Sequence, residues 1–291
     1  MKGEPKQILS VSRRTDIPAF YMAWFMDQVA RGFIDVVNPF NQQVRQVAVS
    51  PERVHTMVFW SKDFGPYLAG RYGERLQAMG YHLFFNFTIN SRSPILEPGV
   101  PDLGQRLDQL HQLCRRFGSA SVQWRFDPIC HYITQAGTNE TNLNDFETIA
   151  AAAGKCGVAT CTTSFMDHYR KIGRRTGDRI RFVEPSPTEQ VNILLNMEQV
   201  LAPLGIGLEL CCEKKVLARL PVGSTINPGA CISGRRITAV HGGRVSQRQD
   251  AGQRKISGCG CTVSVDVGSY NLHPCHHNCL FCYANPACDQ R

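Results

Sequence analysis

The clearest chemistry in the sequence lies in three cysteines late in the chain. Cys275, Cys279 and Cys282 sit in the stretch PCHHNCLFCYAN, spaced C-x3-C-x2-C, with Phe281 directly before the last of them. Thiolates are soft ligands that favour iron–sulfur clusters or zinc. Three at this spacing can hold three irons of a cubane cluster and leave the fourth iron open. A zinc site usually calls for four protein ligands, so His273, His276 or His277 would have to supply the fourth. A second candidate metal site is formed by Cys212, Cys231, Cys259 and Cys261, and it suits either a second iron–sulfur cluster or structural zinc. Within it, Cys259-Gly-Cys261 is a tight chelating pair, because glycine lets the backbone turn around a metal. Cys288 is a spare. Cys114, Cys130, Cys156 and Cys161 fall in helical or strand patterns and read as core, where a free thiol acts as a small hydrophobe.

The background composition is ordinary. The chain has 291 residues, 43% hydrophobic and 19% charged, which excludes disorder, collagen and coiled coil. No apolar run reaches the roughly 18 residues of a membrane helix. The stretch Met1–Lys6 is polar and lacks the apolar core of a secretory leader. A cytoplasmic protein without a membrane span is expected. In a reducing compartment thirteen cysteines point to metal rather than disulfides. The net charge of +8 is regional: residues 170–255 carry 15 Lys+Arg against 7 Asp+Glu, and the remainder is balanced. That excess reads as a solvated basic surface or as the footprint of an anionic substrate or nucleic acid.

These residues need a frame, and the hydrophobic pattern supplies one. Apolar segments predict strands over Gln7–Val11, Ile34–Val37, Thr56–Trp60, His82–Ile89, Ser121–Phe126, Val158–Ser164 and Gly207–Cys211. Helices alternate with them. One spans Leu103 to Phe117 and stops at Gly118; one starts in the capping box Ser186-Pro187-Thr188-Glu189; one presents Tyr21, Trp24, Phe25 and Val29 and stops at Gly32; one is capped by Asn144 and covers Phe146–Ala153. Residues 39–53 suit an extra hairpin, and residues 233–258 read as loop. The alternation predicts an α/β fold, a complete or partial parallel TIM-like barrel over residues 1–212, with residues 213–291 as a cysteine-rich segment folded over its mouth. No nucleotide-binding glycine motif is present.

The ends of the predicted strands carry polar groups in succession: Ser12 to Asp16, Asn38, Trp60-Ser61-Lys62, Thr88 and Asn90, Arg125 and Asp127, Ser164 with Asp167 and Tyr169, and Cys211-Cys212-Glu213. In a parallel barrel this end is the mouth where chemistry takes place. Arg125, Asp127, Asp16 and Lys62 are the candidate catalytic groups. Arg125 with Asp127 reads equally well as a salt bridge stabilising the rim. A metal-dependent hydrolase using Asp16, Asp127 and Asp167 is the weakest alternative, since no HxH or HExxH pair accompanies them. A zinc-stabilised protein binding nucleic acid through its basic region is the other alternative.

The triplet, with its aromatic before the third cysteine, resembles the signature of radical S-adenosylmethionine enzymes. Those enzymes carry it after the first barrel strand, and its late position here implies a permuted barrel. The stretches SVSRRTDIPAFY, FWSK, EPGVP, QWRFDPI, TSFMDHYRK and CGCTVSVDVGSYNLHPCHHNCLFCYAN resemble the domain-of-unknown-function 1848 family, whose members carry such a cysteine cluster. The resemblance implies a 4Fe-4S cluster on Cys275, Cys279 and Cys282. It implies S-adenosylmethionine as cofactor and a 5′-deoxyadenosyl radical acting on an unknown small-molecule or anionic substrate, with an electron donor such as flavodoxin or ferredoxin. Arg13, Arg14, Phe281 and Tyr283 are then the candidate cofactor-binding residues. No GGE motif of the kind that usually binds the amino group is present.

Overall fold

Alternation with a period of two decides the architecture. The computed structural model describes residues 6–39, 41–284 and 286–290; the polar stretch Met1–Pro5 lies outside them. In chain order the strands are β1 Gln7–Val11, β2 Phe33–Val37, β3 Val44–Ala48, β4 Val54–Ser61, β5 His82–Thr88, β6 Val122–Ile129, β7 His131–Thr134, β8 Asn139–Thr141, β9 Thr160–Phe165, β10 Ile180–Val183, β11 Gly207–Leu210, β12 Asn227–Pro228 and β13 Val265–Asp266. Eight of them form one sheet in the order β12-β11-β9-β6-β5-β4-β1-β13, and every pair in it is parallel.

One face of this sheet turns Leu9, Met57, Phe59, Phe85, Trp124, Phe126, Leu208 and Leu210 into the main core. The helices α1 Ile17–Phe20, α2 Met22–Arg31, α3 Gly65–Ala69, α4 Tyr72–Ala78, α5 Leu103–Phe117, α6 Phe146–Lys155, α7 Arg170–Thr176, α8 Pro187–Leu201, α9 Lys214–Leu217 and α10 Gly234–His241 complete the fold. Phe25 of α2, Leu110 of α5, Ile149 of α6 and Leu194 of α8 are fully buried in that core, which is why their apolar stripes were legible. The intervening strand residues point to the other face. There Ile8, Val58 and Phe84 pack against Ile232, Ile237 and Val245, and Ser10, Asn86, Gln123, Arg125 and Thr162 are buried among them. The later part of the chain covers this second face and also supplies both edge strands, β12 and β13.

Several expectations need correction. The strand expected at Ile34–Val37 is β2, but it lies outside the parallel sheet and pairs antiparallel with β3, so the hairpin expected within residues 39–53 instead takes Phe33–Val37 as its first arm. Asn38 therefore does not join the row of strand ends. The ladder stays open: among the described residues no pairing joins β12 to β13, so a closed barrel is not formed by backbone hydrogen bonds. A three-stranded antiparallel sheet, β10-β7-β8, follows β6 and was not anticipated. Asp145, not Asn144, stands at the start of α6, and neither supplies a side-chain cap there, because the Asp145 carboxylate accepts from the Arg92 N–H instead. The supposed loop at 233–258 contains α10, which Ser233 caps by accepting from the Arg236 N–H. The capping box of α8 forms as read, with Ser186 and Glu189 bonded reciprocally. No helix among the described residues is long and apolar enough to cross a membrane.

Candidate metal centres at the strand ends

Because all eight strands are parallel, their C-terminal ends share one edge, and the polar residues beyond β1, β4, β5, β6, β9 and β11 converge there. Asp16, at the start of α1, is the hub of the β1 end. Its Oδ1 accepts from the Ala19 N–H and its Oδ2 from the Lys62 N–H, and the Ser61 hydroxyl donates to the same carboxylate. The remaining partner comes from the tail: His277 Nε2 lies 2.8 Å from Asp16 Oδ2, and its Nδ1 lies 3.0 Å from the Gly99 carbonyl. Both ring nitrogens face oxygens, an arrangement that favours the ring protonated at both. Burial acts to lower the His277 pKa, but the Asp16 hydrogen bond and charge outweigh it and raise it.

Lys62 reaches Glu97 at 2.5 Å and stands 5.2 Å from the centre of the Phe281 ring. Burial works against its charge, yet Glu97 and then Cys279 hold it above the ordinary lysine value. The triplet lies around this ammonium. Cys279 is buried and Cys275 and Cys282 are half-buried. Burial pushes the Cys275 thiol up to about 12 and raises Cys279 well above its usual value, with Lys62 pulling back. Burial likewise raises Cys282, against the opposing pull of Arg175 and Lys62. The Arg175 guanidinium donates to the carbonyls of Leu280, Cys282 and Ala284, and the Tyr283 hydroxyl donates to the Arg13 carbonyl at 2.7 Å. Leu280 and Phe281 pack with Leu96, Cys130, Tyr132 and Ile180, so the unanticipated antiparallel sheet backs the tail.

The second cysteine set is also brought together, and it gains a member. Cys211 Sγ lies 3.6 Å from Cys231 Sγ and 3.8 Å from Cys212 Sγ. Cys259 and Cys261 are buried in the same cluster as Cys211 and Cys231, and Cys212 packs against it. Five cysteines thus gather in one place, the sulfur ring. Arg125 donates from Nη1 to Cys231 Sγ, and from Nη2 to Asp127 at 2.5 Å; the Ser164 hydroxyl donates to the same Asp127. Arg13 and Arg125 both lie over the Trp60 ring, at 5.2 Å and 5.3 Å. Hydrogen bonds from Cys231 and Cys259, and then the charge of Arg13, hold the Cys261 thiol far below its usual value. Arg14 donates to the Gly268 carbonyl at 3.0 Å and so ties down the loop after β13. As placed, no set of three or more His, Cys, Asp or Glu side chains among the described residues is already shaped around a metal ion.

Each residue singled out from the sequence can now be located. Asp16, Lys62, Arg13, Phe281 and Tyr283 gather with the triplet. Arg125 and Asp127 form the rim salt bridge and reach toward the sulfur ring. Asp167 pairs with Arg254 rather than joining Asp16. Glu97, Cys211 and the pairing of His277 were missed. Cys211 had a signal, its adjacency to Cys212 at a strand end; Glu97 had none, because its partner is remote in sequence. Two surface clefts, of about 400 and 630 Å³, lie elsewhere and are not lined by any cysteine.

The frame and site define an α/β protein with one eight-stranded parallel sheet and cysteine-rich strand ends. The chain belongs to the domain of unknown function (DUF1848) family, which matches residues 8–284. No curated protein matches it.

Proposed function

We propose that the protein is an iron–sulfur enzyme of the radical S-adenosylmethionine type, with its cluster on Cys275, Cys279 and Cys282. The observation that carries this reading is the state of the three tail histidines. His277 is committed at both nitrogens to Asp16 and Gly99. His273 accepts from the Ser269 N–H and packs on Trp24 at 4.1 Å, and His276 lies among Phe20 and Tyr21. His277 is therefore not on offer as a fourth ligand for tetrahedral zinc, and His273 and His276 are engaged with the aromatic residues of α1 and α2, whereas three thiolates suit a cluster with one open iron. Lys62 and Arg175 supply positive charge where thiolates would form.

Two buried polar atoms beyond β1, Arg13 Nη2 and Thr15 Oγ1, have no hydrogen-bond partner. Buried donors rarely stay unpaired, and a guanidinium donor suits the carboxylate of an amino acid. When bound, the cluster would supply one electron to cleave the sulfonium of S-adenosylmethionine. The protein's own groups would bind the methionyl end, anchor the tail through Asp16 and Tyr283, and keep water out with Phe281 and Leu280. The same reading takes the open sheet as a partial barrel, because Arg13, from the turn after β1, and Arg125, from β6, meet over Trp60. It calls for a one-electron donor such as flavodoxin or ferredoxin, and for a cytoplasmic setting.

Anaerobically reconstituted protein, given a chemical reductant and S-adenosylmethionine, is expected to release 5′-deoxyadenosine. A Cys279→Ala variant is expected to lose that release while remaining folded by circular dichroism. Equal release from the variant, or none from the parent protein with its iron and sulfide loaded, overturns the reading.

A further inference from the structure

The sulfur ring lies where the open sheet leaves its two edges unjoined. Cys211 and Cys212 follow β11, and Cys231 follows β12, at one edge. Cys259 and Cys261 precede β13, the strand at the opposite edge beside β1. No ladder joins β12 to β13 among the described residues; the Thr262 N–H donates to the Ile232 carbonyl at 2.9 Å, and beside that one backbone link the cysteines of both edges meet. We propose that Cys231, Cys259 and Cys261, with one sulfur of the Cys211–Cys212 pair, bind a single tetrahedral zinc ion that clasps the two edges of the sheet together.

Three observations carry the choice of a single ion. First, a tetrahedral site with metal–sulfur bonds of about 2.3 Å has sulfur–sulfur edges of about 3.8 Å. One such edge is already present, with Cys231 Sγ at 3.6 Å from Cys211 Sγ. A cubane cluster puts each thiolate on a different iron and needs them farther apart.

Second, cationic groups face the thiols. A divalent ion with four thiolates leaves two negative charges; the Arg125 guanidinium donates to Cys231 Sγ as well as to Asp127, and Arg13 stands close to Cys261. The Ile232 N–H also points at Cys261 Sγ, at 3.4 Å, the kind of backbone donor that supports a bound thiolate.

Third, the backbone is shaped for the meeting. Cys212 has φ +64°, in the left-handed region that a side chain avoids unless its surroundings impose it, and this turns its sulfur back toward Cys259. At Gly260, a Cβ atom would stand 2.8 Å from the Gly229 carbonyl oxygen. Only glycine allows the Cys259–Cys261 loop to lie so close to the segment that carries Cys231.

The site is independent of the tail triplet, and the experiment separates them. The full chain carrying Cys275→Ala, Cys279→Ala and Cys282→Ala, purified anaerobically, is expected to retain about one zinc ion per chain. Exchanged for Co²⁺, it is expected to show the intense visible bands of a tetrahedral thiolate site, and adding Cys259→Ser and Cys261→Ser should abolish them. A folded triple variant without zinc and without Co²⁺ binding overturns the proposal. So does one holding iron with acid-labile sulfide, which would make the ring a cluster site. Should the triple variant not fold, alkylation mapping of the unmutated chain decides. The ring cysteines should become reactive only after a zinc chelator is added, and reactivity indifferent to the chelator overturns the clasp. Loss of 5′-deoxyadenosine release in the unmutated protein bears on the triplet alone.

Discussion

The two cysteine regions share ligand chemistry and an edge of the same sheet, but they are held in different ways. In the ring, sulfur touches sulfur, and guanidinium groups from the sheet, Arg13 and Arg125, stand against the thiols. In the triplet, no sulfur–sulfur hydrogen bond is formed among the described residues. There the protein grips the segment by its other groups: His277 on Asp16, Arg175 on three carbonyls, Tyr283 on Arg13. Sulfurs packed in contact suit one small ion. Sulfurs set apart on an anchored loop suit a larger inorganic core. The anchor rather than the thiols thus decides what a cysteine motif can hold.

The largest expected effect comes from cutting that anchor. In the Asp16–His277 pair both side chains are almost wholly buried, so Asp16→Ala leaves the buried His277 ring, the Ser61 hydroxyl and the Lys62 N–H without their partner. Loss of one partner from such a pair costs about 3–5 kcal/mol, which urea unfolding would read directly. The variant should also lose iron loading at the triplet while keeping Co²⁺ binding at the ring. A loss below about 1 kcal/mol would mean that the tail is held elsewhere, and the contrast between the two regions would fall.

The reverse cut is smaller. Gly260→Ala sets a methyl group against the Gly229 carbonyl oxygen, and relieving such overpacking costs about 1–3 kcal/mol. Ring closure should suffer most, with Co²⁺ affinity falling roughly tenfold, equivalent to about 1.4 kcal/mol. Iron loading at the triplet should stay as in the parent protein. Weakening at both sites together would show that the ring and the tail form one unit through β13.

Most of the parallel sheet was legible because its signals are local. Phe59, Trp124 and Leu208 alternate with inward-facing neighbours, and Ser186, Gly32 and Gly118 mark helix ends by their own chemistry. What stayed hidden is set by remote partners. β12 and β13 have only two residues each and exist because neighbouring strands present open edges. β2 was legible as a strand but not as part of a hairpin, because its partner choice is tertiary. The same division holds at the site. Spacing gave Cys275, Cys279 and Cys282, and chelating proximity gave Cys259 with Cys261. Whether Arg125 would face a ligand or a thiol depended on Cys231, more than a hundred residues away, and nothing local announces that.

The smallest expected effect lies at the opposite end of the strands and serves as a control on both sites. His241 of α10 donates to the Leu83 carbonyl at 3.0 Å and stacks on His82 at 4.8 Å, with His55 beyond. Burial, then the charge of His82, push its pKa down to about 4 from 6.5, against the opposing Leu83 carbonyl. The folded state therefore refuses a proton that the unfolded state accepts between about pH 4 and 6.5, and stability rises with pH across that window and is lost as pH falls through it. One fully linked proton gives a slope of about 1.4 kcal/mol per pH unit; with the ring partly wetted the slope should be smaller. His55, lowered by its own burial, adds in the same direction. The difference between the parent protein and His241→Gln isolates the effect from carboxylates titrating in the same range. Urea unfolding between pH 4 and 7 should show a flatter profile for the variant, with metal content unchanged at both cysteine sites. An identical slope would mean that the His241 environment does not exclude protons. A flatter slope with lost metal would mean that α10 and the sulfur ring, which share the second face of the sheet, cannot be perturbed separately.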